Sequence, residues 1–317
     1  MKKLILSILP LLAMILLVSS CKSDDVSSQS IFTTEEQPKN EFDQWLYDNF
    51  TKPYNIEFRY RYQDSETDNY YNVVPADPEK AKAVAILVRE LWIGAYESVF
   101  GTEFIKTYGP KVYQLLGSPE FNSSGSIVLG YAESGVKITL FRVNEIDVDN
   151  IFVNTADAFR DHYALPMDLN YWYFHTMHHE FFHILTQTRN YTTDFQLISA
   201  GDYHTSDWIN VDDKEAPLEG FVTGYASGEY NEDIAEIYST YVTSTDEVWQ
   251  QILDAGVEYD EDGTTVISTE GRDKIMQKLA LVKDYLNDSW GVDLDLLREE
   301  VLNRTANVYN LDLRTLK

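Results

Sequence analysis

The sequence predicts an α+β protein, with an N-terminal mixed sheet and one long helix followed by a mostly helical C-terminal half. Two observations carry this. Residues 55–62 (Asn-Ile-Glu-Phe-Arg-Tyr-Arg-Tyr) alternate apolar and polar, the period of a strand with one buried face. After residue 168 the apolar residues recur three and four apart, as Phe174, Met177, Phe181 and Ile184 do, which is the period of a helix face. No internal repeat and no long Pro/Gly-rich linker follows residue 40, so one folded unit over residues 41–317 is expected.

Taken in order, the first twenty residues read as an export signal. Met1-Lys2-Lys3 is basic, Leu4 to Val18 is a nearly continuous apolar run, and Ser19-Ser20 are small. The run falls short of the about twenty residues that a spanning helix needs. Val18-Ser19-Ser20-Cys21 resembles a bacterial lipoprotein box, which makes Cys21 the lipidated first residue after cleavage and anchors the chain to a membrane. Lys22-Ser23-Asp24-Asp25 looks like an acidic surface-export tag, so an outer-membrane lipoprotein exposed at the cell surface is expected. Residues 26–40 are rich in Ser, Thr, Gln and Glu and read as a flexible tether.

In the folded part, Asp77-Pro78 is a helix start, a capping side chain followed by proline at the first helical position. The helix is predicted to run to about Phe100 and to stop at Gly101. A short strand is expected at 111–116, and a hairpin from 126–132 and 136–143 around Glu133-Ser134-Gly135. Helices are predicted over 168–187, 231–255, 269–287 and 293–307, with Asn231 and Asp293 as caps.

Composition narrows the function. The chain has 317 residues, of which 44% are hydrophobic and 14% aromatic, enough to build a sizeable core. Lys and Arg number 25 against 52 Asp and Glu, giving a formal charge of -27. That field repels phosphate backbones and argues against nucleic acid as a partner, whereas it favours cationic substrates and divalent metals. Cys21 is the only cysteine, which excludes an intrachain disulfide and a cysteine-built zinc site.

The sharpest feature is His179-Glu180-Phe181-Phe182-His183, an HExxH pattern. On a helix the two histidines share a face one turn apart and can grip one zinc ion, with Glu180 beside them as general base toward a water. Catalytic zinc needs a third protein ligand. A Gly and a His at positions 186 and 189 would supply the metzincin pattern; Thr186 and Arg189 stand there instead. A later helix offers Glu232 and Glu236, four apart on one face. One carboxylate can bind the metal while the other holds a ligand histidine by its second nitrogen. His175 and His178 are expected to be satisfied by neighbours, and His204 to sit on a surface loop between the two helices.

His-Glu-Phe-Phe-His at 179–183 with Glu-Asp-Ile-Ala-Glu at 232–236 resembles the gluzincin-type zinc metallopeptidases. With the leader, the chain is similar to the Bacteroidetes substrate import-associated zinc metallohydrolase lipoproteins. The resemblance implies a zincin-like metallopeptidase fold, a Zn²⁺ cofactor, a peptide or protein substrate and an outer-membrane import system as partner. It implies His179, His183 and Glu232 as metal ligands and Glu180 as base, with Glu236 orienting His179. The arrangement also resembles that of anthrax lethal factor. By that likeness Tyr225, seven residues before Glu232, would donate a hydrogen bond to the developing oxyanion. Phe182 departs from the small residue expected in relatives and is expected to pack. The 136–143 strand is expected to offer an open edge on which an extended substrate pairs. The competing expectation is a non-catalytic surface lipoprotein that binds peptide or glycan through its 22 tyrosines and 6 tryptophans.

Overall fold

In the computed structural model the described residues are 39–63, 72–121, 127–128, 130–133 and 136–317. The leader, Cys21 and the tether up to residue 38 lie outside them. So do Ser134 and Gly135, the expected hairpin turn. Among the described residues no helix is long and apolar enough to cross a membrane.

Helix α1 (Glu41–Leu46) is closed at its start by a capping box, in which the Asn40 side chain accepts from the Asp43 backbone and Asp43 returns the bond. It runs on through a π-helical stretch, Tyr47–Thr51, into Lys52–Tyr54. Strand β1 (Glu57–Arg59) follows. Helix α2 begins at Pro78, where Asp77 accepts from the Glu79 and Lys80 backbone N–H groups, and continues from Pro78–Leu87 through Val88–Ile93 to Gly94–Phe100. Gly101 stops it with φ at 80°, a conformation glycine adopts without strain. A short helix, α3 (Thr102–Tyr108), leads to β2 (Val112–Leu115).

The predicted hairpin is subdivided. Strand β3 (Glu120–Phe121) pairs antiparallel with β4 (Ile127–Val128), while β5 (Gly130–Glu133) pairs antiparallel with β6 (Lys137–Leu140). The main sheet has the order β1-β2-β6-β5, with β1, β2 and β6 parallel. Strand β6 is therefore internal, paired on both sides. The expectation of an open edge at 136–143 is corrected: among the described residues β5 ends the sheet, because β2 inserts between β1 and β6. Every residue of β6 is buried, as parallel strands covered on both faces require. The buried Lys137 ammonium donates to Gln114 Oε1 at 3.2 Å.

The second half is helical. Helix α4 (Thr176–Thr188) is preceded without a break by a π-helical stretch, Asn170–His175, so the predicted helix exists with a widened first turn. Short helices α5 (Asp194–Ile198) and α6 (Ala216–Glu219) follow. The single helix expected over 231–255 is two: α7 (Tyr230–Thr243) and α8 (Asp246–Ala255). Thr245 breaks it by accepting from the Val248 backbone N–H, the competition that Thr side chains offer to a continuing helix. The expected cap at Asn231 is also corrected, since Glu229 occupies that position with extended backbone. A two-stranded ribbon, β7 (Glu258–Tyr259) and β8 (Val266–Ser268), precedes α9 (Glu270–Trp290) and α10 (Leu294–Ala306), the last capped by Asp293 as predicted.

Aromatic packing fixes α4. Phe181 sets its edge against Trp92 and Tyr96 of α2, with centroids 5.1 and 5.0 Å away. On the next face Phe182 stacks on Tyr238 of α7 at 4.5 Å, which accounts for a bulky residue at that position. Helix α7 is tied in turn to α9 by a fully buried ion pair, Lys278 Nζ to Asp233 Oδ2 at 2.7 Å. Lys278 also donates to the Gly220 carbonyl, and Tyr203 donates to Asp233. Burial pushes the Asp233 carboxyl up to about 6 against the pull of Lys278. Lys278→Met is expected to destabilise the fold by about 3 kcal/mol, near the low end for a broken buried pair because Asp233 can take up a proton. A denaturant midpoint equal to that of the wild type would contradict this.

Candidate metal centre

The packing of Phe181 and Phe182 leaves one stripe of α4 for His179 and His183, with His175 of the π-helical entry one turn before them. Helix α7 crosses it and presents Glu232 and Glu236 from its first two turns. His179 Nε2 lies 3.0 Å from His183 Nε2 and 3.0 Å from Glu232 Oε2, and His183 Nε2 lies 3.3 Å from the same oxygen. Among the described residues these three form the one group able to hold a metal ion. A tetrahedral zinc with bonds of about 2.0–2.1 Å separates its ligands by about 3.3 Å, so the triangle has the size the ion requires. The donor set fits as well. Two imidazole nitrogens and one carboxylate oxygen turned toward a common point are a donor set that a divalent cation stabilises.

Glu236 stands behind this triangle. Its Oε1 accepts from His179 Nδ1 at 2.7 Å, which leaves Nε2 of that ring as the lone-pair donor toward the metal position. Its Oε2 accepts from Thr223 Oγ1 at 2.7 Å. Burial opposes the ionised form of Glu236, yet the neighbouring His175 ring and the bonds from His179 and Thr223 hold its carboxyl down to about 2. Burial likewise opposes ionisation of Glu232, and hydrogen bonding to His179 and His183 lowers it well below the carboxylate range. The ring of His179 shows the complementary effect: burial would lower it, and the two carboxylates raise it well above its ordinary value.

Glu180 is buried, 7% exposed, and lines two cavities that meet at the metal position. One, of about 460 Å³, has an apolar floor including Val222, Val248 and Ile252 and walls from the 154–168 loop. The other, of about 680 Å³, is walled by amides and hydroxyls such as Gln187, Asn190, Thr193 and Asn231. Tyr225 also borders both. The residue is 41% exposed, and its ring lies 5.8 Å from the His179 ring and packs edge-on against Trp208 at 5.0 Å. Desolvation in the cleft and the carboxylates of Glu232 and Glu180 push its phenol up. The structure thus brings Glu180, Tyr225, His179, His183, Glu232 and Glu236 to one place.

The other histidines are elsewhere engaged. His178 points into the core, where Tyr96 Oη meets its Nδ1 at 2.8 Å, and burial pulls its pKa down to about 3. His175 Nε2 lies 3.0 Å from Ser239 Oγ and 3.3 Å from Glu236 Oε1. His204 sits on a loop, bonded through Nε2 to Glu219 at 2.6 Å, and its backbone N–H holds the Ser227 carbonyl. Thr223, His162, Asp213 and Trp208 belong to the site and carry no sequence motif; only the folded loops bring them to the cleft.

A helix-borne His-Glu-x-x-His and a glutamate from a crossing helix, open to a cleft on both sides, make up a candidate site for a divalent metal. The chain belongs to the family described as "Putative zinc-binding metallo-peptidase", whose model matches residues 35–295. It is similar to a solved structure titled a "putative zinc-binding metallo-peptidase" from Bacteroides caccae, with 36% identity and a TM-score of 0.67. That similarity covers 91% of this chain and 100% of the other. A search of curated proteins gave no match.

Proposed function

We propose that the protein is a zinc-dependent peptidase of the gluzincin type on a zincin-like fold, hydrolysing peptide bonds in the cleft that runs past His179 and His183. The observation that carries this is the triangle of His179, His183 and Glu232 with Glu180 beside it, between two cavities. A closed structural site has no use for a carboxylate in that position, nor for an open approach from both sides.

Zinc bound by these three residues would polarise a peptide carbonyl and lower the pKa of a water. Glu180 takes a proton from the attacking water and delivers it to the leaving amine. Tyr225 donates its hydroxyl hydrogen to the oxyanion. Glu236 keeps His179 in the tautomer whose Nε2 is unprotonated. An extended substrate pairs with the free edge of β5, which runs alongside α4. We further propose that Cys21 is lipidated and holds the domain on the outer membrane, where cleaved peptides pass to an import system. The leader sequence supports the lipid anchor, and the import system rests on the family resemblance alone.

The deciding experiment incubates the zinc-loaded protein with a diverse peptide library and reads cleavage by mass spectrometry. Cuts that disappear with a chelator and return with zinc are expected. A folded, zinc-loaded protein that leaves peptides and denatured proteins intact would overturn the peptidase reading in favour of a binding protein.

A further inference from the structure

We propose that His162 and Asp213 form a strap that positions Tyr225 against the metal-bearing helix; its part in catalysis rests on the peptidase reading above. The strap is a chain of direct contacts. Asp213 Oδ1 accepts from the backbone N–H of Gly224, the residue before Tyr225, at 2.7 Å. Asp213 Oδ2 lies 2.9 Å from His162 Nε2; a carboxylate only accepts, so the imidazole donates there. The His162 ring lies flat on Tyr171, centroids 3.6 Å apart and planes 7° from parallel. Tyr171 belongs to the π-helical stretch that runs directly into α4 and its histidines. The path therefore leads from the metal helix, through a stacked ring and a hydrogen-bonded carboxylate, to the backbone of the tyrosine loop.

The loop is built for this contact. A Cβ at Gly224 would meet the Val211 carbonyl oxygen at 2.2 Å, so only glycine allows the loop to lie against the Asp213 segment. On the other side of Gly224, Thr223 donates to Glu236, and Glu236 holds His179. Tyr225 follows two residues that are each tied back to the metal site, Thr223 through α7 and Gly224 through the α4 extension. Two-point attachment of this kind fixes a hydroxyl relative to an ion more tightly than a loop packed by its side chains alone. His162, Asp213 and Tyr171 also line the same cavity of about 460 Å³ as Tyr225, so the strap forms the wall that substrate meets.

His162→Phe keeps a flat ring on Tyr171 and removes the donor to Asp213. In the zinc-loaded full chain it is expected to lower kcat about tenfold with KM nearly unchanged and zinc content intact. Combined with Tyr225→Phe it should add nothing, because the strap acts through that hydroxyl. Asp213→Asn, isosteric and still able to accept from Gly224, is the second variant and should act in the same direction with smaller effect. Hydrogen exchange supplies a readout that needs no activity: amides of 223–227 should exchange faster in His162→Phe while those of α4 and α7 do not change. Unchanged exchange at 223–227 would overturn the strap, whether or not peptides are cut. Faster exchange with kinetic losses that add to those of Tyr225→Phe would overturn its action through the tyrosine. Faster exchange in a protein that cuts nothing would keep the strap and remove the peptidase reading.

Discussion

Glu180→Gln is expected to keep the metal and lose hydrolysis. The carboxamide has the volume of the carboxylate and fits the same buried position, but it cannot accept a proton at neutral pH. Glu180 contributes no atom to the triangle of His179, His183 and Glu232, so zinc stoichiometry should match the wild type. General-base removal costs on the order of 10²–10⁴ in rate. Binding of a peptide should survive, since both cavities are intact. Zinc content by elemental analysis and cleavage by mass spectrometry, on the same preparation, separate the two effects. Cleavage at the wild-type rate would take the base role from Glu180; loss of zinc would mean that the residue supports the ion rather than the water.

The fold was legible where one physical signal dominated. Alternation at 55–62 found β1, and Asp77-Pro78 with Gly101 found both ends of α2, because a capping carboxylate, a fixed proline φ and a left-handed glycine are local chemistry. Helix α1 went unread although its signals were present: Asn40 with Asp43 as a capping box, and Phe42, Leu46 and Phe50 four apart, all buried. The Ser/Thr/Gln-rich stretch just before it has the composition of a tether, and that signal masks the cap. The break at Thr245 was hidden for a different reason. Apolar periodicity continues across it in both helices, and only the side-chain bond to Val248 shows where one stops and the next starts. Strand order was out of reach. That β2 enters between β1 and β6 is a long-range fact, and it moves the free edge from the 136–143 segment to β5.

The site divides along the same line. His179, Glu180 and His183 lie within one turn of one helix, so their spacing already states their geometry. Glu232 and Glu236 could be nominated from spacing but not ranked, since either could have faced the histidines. The crossing of α7 over α4 ranks them: Glu232 reaches the Nε2 atoms, Glu236 reaches Nδ1 of His179. Thr223 and the His162–Asp213 pair were invisible, because polar side chains on loops have no periodicity and a hydrogen bond across 51 residues leaves no local trace.

That ranking gives the second large effect. Glu232→Ala is expected to lose zinc at micromolar concentration, because it removes one of three protein donors and the charge that offsets the ion. The loss should appear as an apo protein after dialysis and as complete loss of cleavage. Glu236→Ala removes no donor. It frees His179 Nδ1 and leaves Thr223 Oγ1 without its acceptor, so zinc affinity should fall by about 10–100-fold, the range for residues that orient a ligand imidazole. Excess zinc should then restore occupancy in Glu236→Ala but not in Glu232→Ala. The contrast tests the geometry, since the two carboxylates sit one turn apart on one helix and differ only in which nitrogen of His179 they face. If Glu236→Ala proved the more damaging and Glu232→Ala could be refilled, the roles would be exchanged. The lone pair of His179 toward the metal would then be Nδ1, and α7 would have to rotate relative to α4 to bring that about. The stack of Phe182 on Tyr238 opposes such a rotation, which is why the larger effect is assigned to Glu232.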